Sequence, residues 1–177
     1  MRWACVVIDL QRDLCLDPRR SELVDASLPA IQRLIRQFDE HELPVYYTKF
    51  ELEPDDPQFA RFGDRYCVRG TPGCEFIPQI SPREDQVVAK TKHSAFFGTD
   101  LDQRLATQGV SGVVLAGLQT QICILTTAAD AYHRGLEVVV AVDAVISSRD
   151  DVRLEAVEWI DRYVGKASTV DDFTATL

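Results

Sequence analysis

Short runs of this chain are apolar at nearly every position: ACVVIDL (4–10), GVVLAG (112–117) and EVVVAVDAV (137–145). A strand with one solvated face alternates apolar and polar residues, whereas a strand covered on both faces reads as an unbroken Val/Ile/Leu run. PVYYTKF (44–50) and DQVVAKT (85–91) are weaker versions of the pattern, and KASTV (166–170) is a last short one. Between them the period changes to that of a helix. SLPAIQRLIRQFDEHE (27–42) places Leu28, Ile31, Leu34, Ile35 and Phe38 on one stripe. TDLDQRLATQG (99–109) opens on a Thr cap and closes on Gly109, and CILTTAADAYHRG (123–135) closes on Gly135. DDVRLEAVEWIDRYV (150–164) is a further helix, and residues 51–85 form a long polar, Pro- and Gly-rich excursion. Strands alternating with helices require a parallel sheet covered on both sides, so the chain is expected to be an α/β/α sandwich of about six strands, with residues 1–177 as one domain.

In an open α/β sheet the ligand crevice lies beyond the carboxyl ends of the strands. The first strand ends at Asp9. The run at 85–91 ends on Lys90, Thr91 and Lys92, the run at 112–117 leads into GLQTQIC, and the run at 137–145 ends near Asp143. A carboxylate, one or two lysines and a thiol therefore share a rim. Asp9 reads equally as a cap for the following turn and as a general acid or base. Lys90 alone reads as a solvated lysine; beside a carboxylate and a thiol it would support the thiolate. Cys123 is expected in the first turn of a helix, where unpaired N–H groups and the helix dipole favour an anion, lower a thiol pKa and could hold an oxyanion. The competing reading is a buried, inert cysteine, which certainly suits Cys5.

Bulk properties narrow the function. The 177 residues carry a net charge of −9, which argues against nucleic-acid or anionic-membrane partners. No stretch approaches the roughly 20 apolar residues of a membrane helix. The opening MRWACVVIDL lacks the shape of a signal peptide. The five cysteines are odd in number and form no C-x-x-C, so neither a disulfide framework nor a zinc ribbon is suggested. His41, His93 and His133 show no metal-ligand spacing; His93 is the one histidine near the rim in sequence, and so the one candidate for a Cys–His dyad. The expectation is a cytoplasmic protein with reduced thiols, a small-molecule substrate and no metal or other cofactor.

Four segments, VVIDLQRDLC (6–15), RGTPGCEFIPQI (69–80), KTKHSAFFGTDLDQRL (90–105) and 112–145, resemble the isochorismatase-like cysteine hydrolase superfamily, in family order over nearly the whole chain. Nicotinamidases, N-carbamoylsarcosine amidases and ureidoacrylate amidases belong to it. The resemblance implies a six-stranded parallel sheet and an Asp–Lys–Cys triad of Asp9, Lys90 and Cys123. It implies a cis peptide at Leu118–Gln119, an oxyanion hole from the amides of Gln119 and Cys123, and often a homo-oligomer, for which 69–80 is a contact candidate. Leu14, Phe96 and Thr120 are expected to line the substrate pocket, with Phe96 reading slightly better as core. QTQIC stands where the family often has ATNVC, and QRDLC where it has QNDFC. The D-x-H-x-H metal motif of nicotinamidases is missing from TKFELEPDDP, which argues against zinc. Cys123 favours hydrolysis of an amide, carbamoyl or ureido compound through a thioester. Vinyl-ether hydrolysis of the isochorismatase type and a catalytically silent binding or redox protein are the alternatives.

Overall fold

The computed structural model describes residues 1–177, apart from the side chain of Phe62. Six strands, β1 (Trp3–Ile8), β2 (Val45–Phe50), β3 (Val87–Lys90), β4 (Gly112–Leu118), β5 (Glu137–Ile146) and β6 (Lys166–Ser168), form one sheet in the order β3-β2-β1-β4-β5-β6. Every pairing is parallel. Among the described residues seven α-helices accompany them: α1 (Arg12–Cys15), α2 (Ser21–Glu40), α3 (Gln58–Phe62), α4 (Leu101–Thr107), α5 (Leu125–His133), α6 (Asp150–Tyr163) and α7 (Val170–Thr174).

The side-chain alternation of β1 divides the core in two. Cys5 and Val7 face one layer, where Val24, Leu28, Ile31, Leu34 and Phe38 of α2 meet Val170 and Phe173 of α7. Ala4, Val6 and Ile8 face the other, built with Leu101 and Leu105 of α4, Ala128 and Ala131 of α5 and Ile160 of α6. A smaller cluster of Phe50, Leu52, Cys67 and Cys74 anchors the excursion after β2. That excursion lies against the strand ends and forms a wall of the cleft there.

Two helical boundaries differ from the sequence expectation. Helix α2 begins at Ser21 rather than at 27, because Val24 continues its buried stripe toward the N-terminus and Pro29 is accommodated inside it. The expected helix at 123–135 is α only from Leu125; Thr120–Ile124 form a wider π turn. Asp143 does not end β5, which runs on to Ile146 past a register shift. Its carboxylate instead accepts the Val170 N–H at 2.9 Å and pairs with Arg33 at 3.5 Å, tying the sheet to α7 and α2. Asp100 rather than Thr99 is the N-cap of α4 and makes no side-chain cap hydrogen bond; Thr99, one residue earlier, accepts the Leu101 N–H at 3.3 Å.

Gly117 makes the strand pairing around the site possible. Its φ is +107°, and a Cβ there would lie 2.1 Å from the Ile8 carbonyl oxygen of β1. Only glycine lets β4 approach β1 this closely, one residue before Leu118.

Candidate active site

Strand β1 delivers Asp9, whose backbone turns into the left-handed region at φ +55° as the strand ends. Thr48, on neighbouring β2, donates its hydroxyl to Asp9 Oδ1 at 2.6 Å. Gln11 braces the next turn: its Nε2 donates to the carbonyls of Phe50 (2.7 Å) and Cys74 (2.8 Å), and its Oε1 accepts the Phe50 N–H (2.8 Å). This fully buried side chain holds the β1 exit, the end of β2 and the excursion in one piece.

Lys90 closes β3, two strands away from β1, and its long stem carries the ammonium under Phe50 to Asp9. Nζ lies 2.8 Å from Asp9 Oδ2, with the two side chains 0% and 1% exposed. It also donates to the carbonyls of His93 (2.9 Å) and Lys92 (3.2 Å), and sits 5.0 Å from the Phe50 ring centre. The two carbonyls and the Cys123 Sγ take the hydrogen bonds of the ammonium, and Asp9 faces it as the counter-charge. The bond to Sγ is 3.6 Å long.

Cys123 is carried by the π turn that follows β4. The Leu118–Gln119 peptide bond at the start of that turn is cis. The Gln119 carbonyl accepts the N–H groups of Ile122 (3.0 Å) and Ile124 (3.2 Å). Cys123 is partly exposed, whereas Cys5, Cys15, Cys67 and Cys74 are all buried. His93 Nδ1 lies 3.9 Å from Sγ, and its ring stacks on Phe50 at 6.4 Å between centres.

The electrostatics correct one expectation. The Cys123 thiol is not acidified by its place before a helix: burial and the Asp9 carboxylate push it up to about 12, against the opposing pull of Lys90. The sulfur lies in a π turn ahead of α5, beside a carboxylate, so the resting group is the neutral thiol. Burial works against the Lys90 ammonium, but Asp9 and then Cys123 outweigh it and hold its pKa above the ordinary lysine value. His93 is held below its ordinary value by burial and by the Lys90 charge, so it is a neutral imidazole at pH 7.

These groups lie at one end of a cleft of about 530 Å³. Asp9, Cys123, Leu14 and Gln119 line it as the sequence suggested, together with Phe50, Tyr66, His93 and Arg20. Lys90 lies beneath the wall. Two expected pocket residues lie elsewhere. Phe96 is 4% exposed within the α4–α5 core and stacks under Arg134, because Ala95 N–H is drawn inward to the Thr127 hydroxyl at 3.0 Å. Thr120 is fully buried, and its hydroxyl donates to the Ile146 carbonyl at 2.9 Å, pinning the π turn to β5. Sequence reading passed over Thr48, Gln11 and Arg20. Thr48 left a trace as the polar interruption of VYYTKF at the register of Ile8. Among the described residues no group of three or more His, Cys, Asp or Glu side chains is placed to hold a metal ion, and no helix is long and apolar enough to cross a membrane.

The chain is similar to known proteins over nearly its whole length. A family model described as the isochorismatase domain matches residues 3–172. An isochorismatase family protein of Bacillus subtilis, YwoC, is 28% identical over 97% of this chain and 92% of its own length. Ureidoacrylate amidohydrolase of Rhizobium rhizogenes is 30% identical over 62% of this chain, which spans 46% of that protein. Among solved structures, N-carbamoylsarcosine amidase from Thermoplasma acidophilum superposes with a TM-score of 0.85 at 31% identity, covering 97% of this chain and 98% of that one.

Proposed function

Because the chain belongs to the isochorismatase family, we propose that residues 1–177 form a single hydrolase domain that cleaves a small amide, carbamoyl or ureido compound through a Cys123 thioester. One observation carries this reading: Asp9 and Cys123 line the cleft and Lys90 joins them from beneath, with Nζ 2.8 Å from Asp9 Oδ2 and 3.6 Å from Sγ. The Asp9 carboxylate also lies near enough to Cys123 to raise its thiol pKa. A thiol held neutral at about 12 needs a base at the moment of attack, and Asp9 is the carboxylate in reach.

In this mechanism Asp9 removes the thiol proton as Sγ bonds to the substrate carbonyl carbon. The carbonyl electrons move to oxygen, which receives the N–H groups of Gln119 and Cys123. Collapse of the tetrahedral adduct breaks the C–N bond, and Asp9 returns its proton to the leaving nitrogen. Water then attacks the thioester, passes a proton through Asp9, and restores the thiol as the carboxylic or carbamic acid departs. Lys90 keeps its charge throughout, stabilising Asp9 at rest and the developing negative charge during attack.

The silent-protein alternative would call for Gln119 to fill the cleft or for Asp9 to lie beyond reach of Cys123; the open cleft, lined by both Asp9 and Cys123, opposes it. We further propose a cytoplasmic, homo-oligomeric and metal-independent enzyme, with the five free thiols supporting a reducing compartment. Light scattering decides the oligomeric state, and unchanged turnover after EDTA treatment supports metal independence. The test of function is ammonia release from a panel of small amides and ureides. Wild type is expected to turn over at least one compound, and Cys123→Ala to lose that turnover by about 10,000-fold or more. Undiminished turnover by Cys123→Ala would falsify the mechanism.

A further inference from the structure

The hydrolytic steps leave one side chain beside the nucleophile unused. His93 lines the cleft half-buried, with its Nδ1 3.9 Å from the Cys123 sulfur. The segment that carries it is pinned on both sides. The His93 carbonyl accepts the Lys90 ammonium at 2.9 Å, the next residue, Ser94, donates its hydroxyl to Asp130, and the Ala95 N–H goes to the Thr127 hydroxyl at 3.0 Å. The ring itself lies nearly parallel to Phe50, at an interplanar angle of 13°. The imidazole is therefore held in position before any substrate arrives.

Hydrolysis of a thioester needs a water held over the acyl carbon, and Asp9 is badly placed to hold one. Its side chain is 1% exposed, Oδ1 receives the Thr48 hydroxyl, and Oδ2 is sealed from solvent against Lys90. Asp9 can take a proton from a water brought to it, but it does not face the cleft openly enough to draw the water in. His93 does face the cleft, and it is fixed beside the sulfur. With its hydrogen on Nε2, a neutral imidazole presents Nδ1 as an acceptor. At rest the thiol is the neighbour of that nitrogen; acylation removes the thiol hydrogen and leaves Nδ1 facing a substituted sulfur. A water donating to Nδ1 at about 2.8 Å then lies against the carbon bonded to Sγ. The charges acting on the ring are Lys90 of β3, Lys92 just beyond it, Arg61 of α3 and Asp9 of β1. Three cations against one carboxylate, together with burial, keep the ring neutral at pH 7.

We propose that His93 is the residue that binds the hydrolytic water, accepting one of its hydrogens at Nδ1 and so aiming an oxygen lone pair at the thioester carbon. The water gives its other proton to Asp9 as its oxygen bonds to that carbon and the carbonyl electrons move to oxygen. Collapse of the adduct breaks the C–S bond, and Asp9 returns the proton to the departing sulfur. His93 begins and ends neutral. The proposal rests on the thioester reading and concerns its second half alone, since attack by Cys123 has no need of a bound water.

The test uses 4-nitrophenyl acetate, whose coloured leaving group reports acylation in a burst and deacylation in the steady rate that follows. Both rates are corrected for Cys123→Ala, which removes acylation elsewhere, and peptide mass after acid quenching follows the acetyl group on Cys123. His93→Phe keeps a ring against Phe50 and removes the acceptor. Its deacylation is expected to slow about 100-fold, with acetyl accumulating on Cys123, while its burst stays within about three-fold of wild type. The burst amplitude counts folded sites, so material lost to misfolding cancels from the rate per site. His93→Gln keeps an acceptor that does not titrate. It is expected to recover part of the lost rate and to stay level between about pH 5 and 7. Over that range wild-type deacylation declines with falling pH, because a protonated ring cannot accept, and the decline begins below the ordinary histidine value of 6.5. Wild-type deacylation in His93→Phe, a burst slowed as much as deacylation, or an acid limb that persists in His93→Gln overturns the proposal and leaves the thioester reading standing. No acetyl on Cys123 in wild type and His93→Phe alike sinks the thioester reading and the proposal with it.

Discussion

Replacing Lys90 with methionine keeps most of the stem and removes the charge. Asp9 would then be a buried carboxylate, 1% exposed, supported only by the Thr48 hydroxyl at 2.6 Å and its own backbone. The carbonyls of Lys92 and His93 would lose their donor as well. Removing one partner of a buried pair costs about 3–5 kcal/mol, because the remaining charge keeps its desolvation penalty and loses its compensation. Against a total of about 5–15 kcal/mol for a domain, Lys90→Met should be severely destabilised but measurable. The double variant Asp9→Asn/Lys90→Met removes both charges and should regain at least about 2 kcal/mol of that loss. Urea unfolding at pH 7 with linear extrapolation measures both values. Turnover should not follow stability: both variants stay inactive, since each lacks the group that holds or moves the proton. A loss below about 1 kcal/mol in Lys90→Met, or a double variant no more stable than the single one, refutes the view of Lys90–Asp9 as a desolvated, mutually dependent pair.

Gly117→Ala should destabilise by about 3 kcal/mol or more, because the new Cβ meets the Ile8 backbone in a paired strand and φ is positive; thermal unfolding measures it. Alkaline pH should weaken the fold. Burial raises Cys15 to about 12 and Cys74 to about 11, above the ordinary thiol value of 9.0. A group whose folded pKa is raised contributes stability below its unfolded pKa and loses it as pH climbs toward the folded one. Denaturation midpoints should therefore fall from about pH 9 upward, with a slope approaching about 1.4 kcal/mol per pH unit for each such thiol. Iodoacetamide should label Cys123 ahead of the other four cysteines, since they are buried, and its rate should still be rising at pH 9; another cysteine labelling first contradicts the placement of the thiol.

The layers of the fold were legible because burial on both faces leaves an unbroken mark: β1, β4 and β5 are runs of Val, Ile and Ala that no half-solvated strand would tolerate. Strand ends were legible for the same reason, since Asp9 and Lys90 interrupt apolar runs. What failed is what depends on side-chain direction or on distant segments meeting. Thr120 stands beside site residues in sequence but turns inward toward β5, while Phe96 takes the core place its sequence slightly favoured. The environment of Cys123 was misjudged because burial, and then the neighbouring Asp9 carboxylate, raise the thiol pKa where the expected helix start would have lowered it. Arg20 gave no signal: in RRSEL a basic residue reads as solvated, and only the meeting of residues 14–20 with the strand ends buries it.

The decisive observation is the covalent intermediate itself. A compound found to release ammonia is mixed with enzyme, quenched in acid within a turnover, and the peptides are weighed. An acyl mass on the peptide carrying Cys123, removed by hydroxylamine and missing in Cys123→Ser, is the predicted result. Full turnover with no adduct on that peptide, or an adduct on another residue, would mean that Cys123 is not the nucleophile.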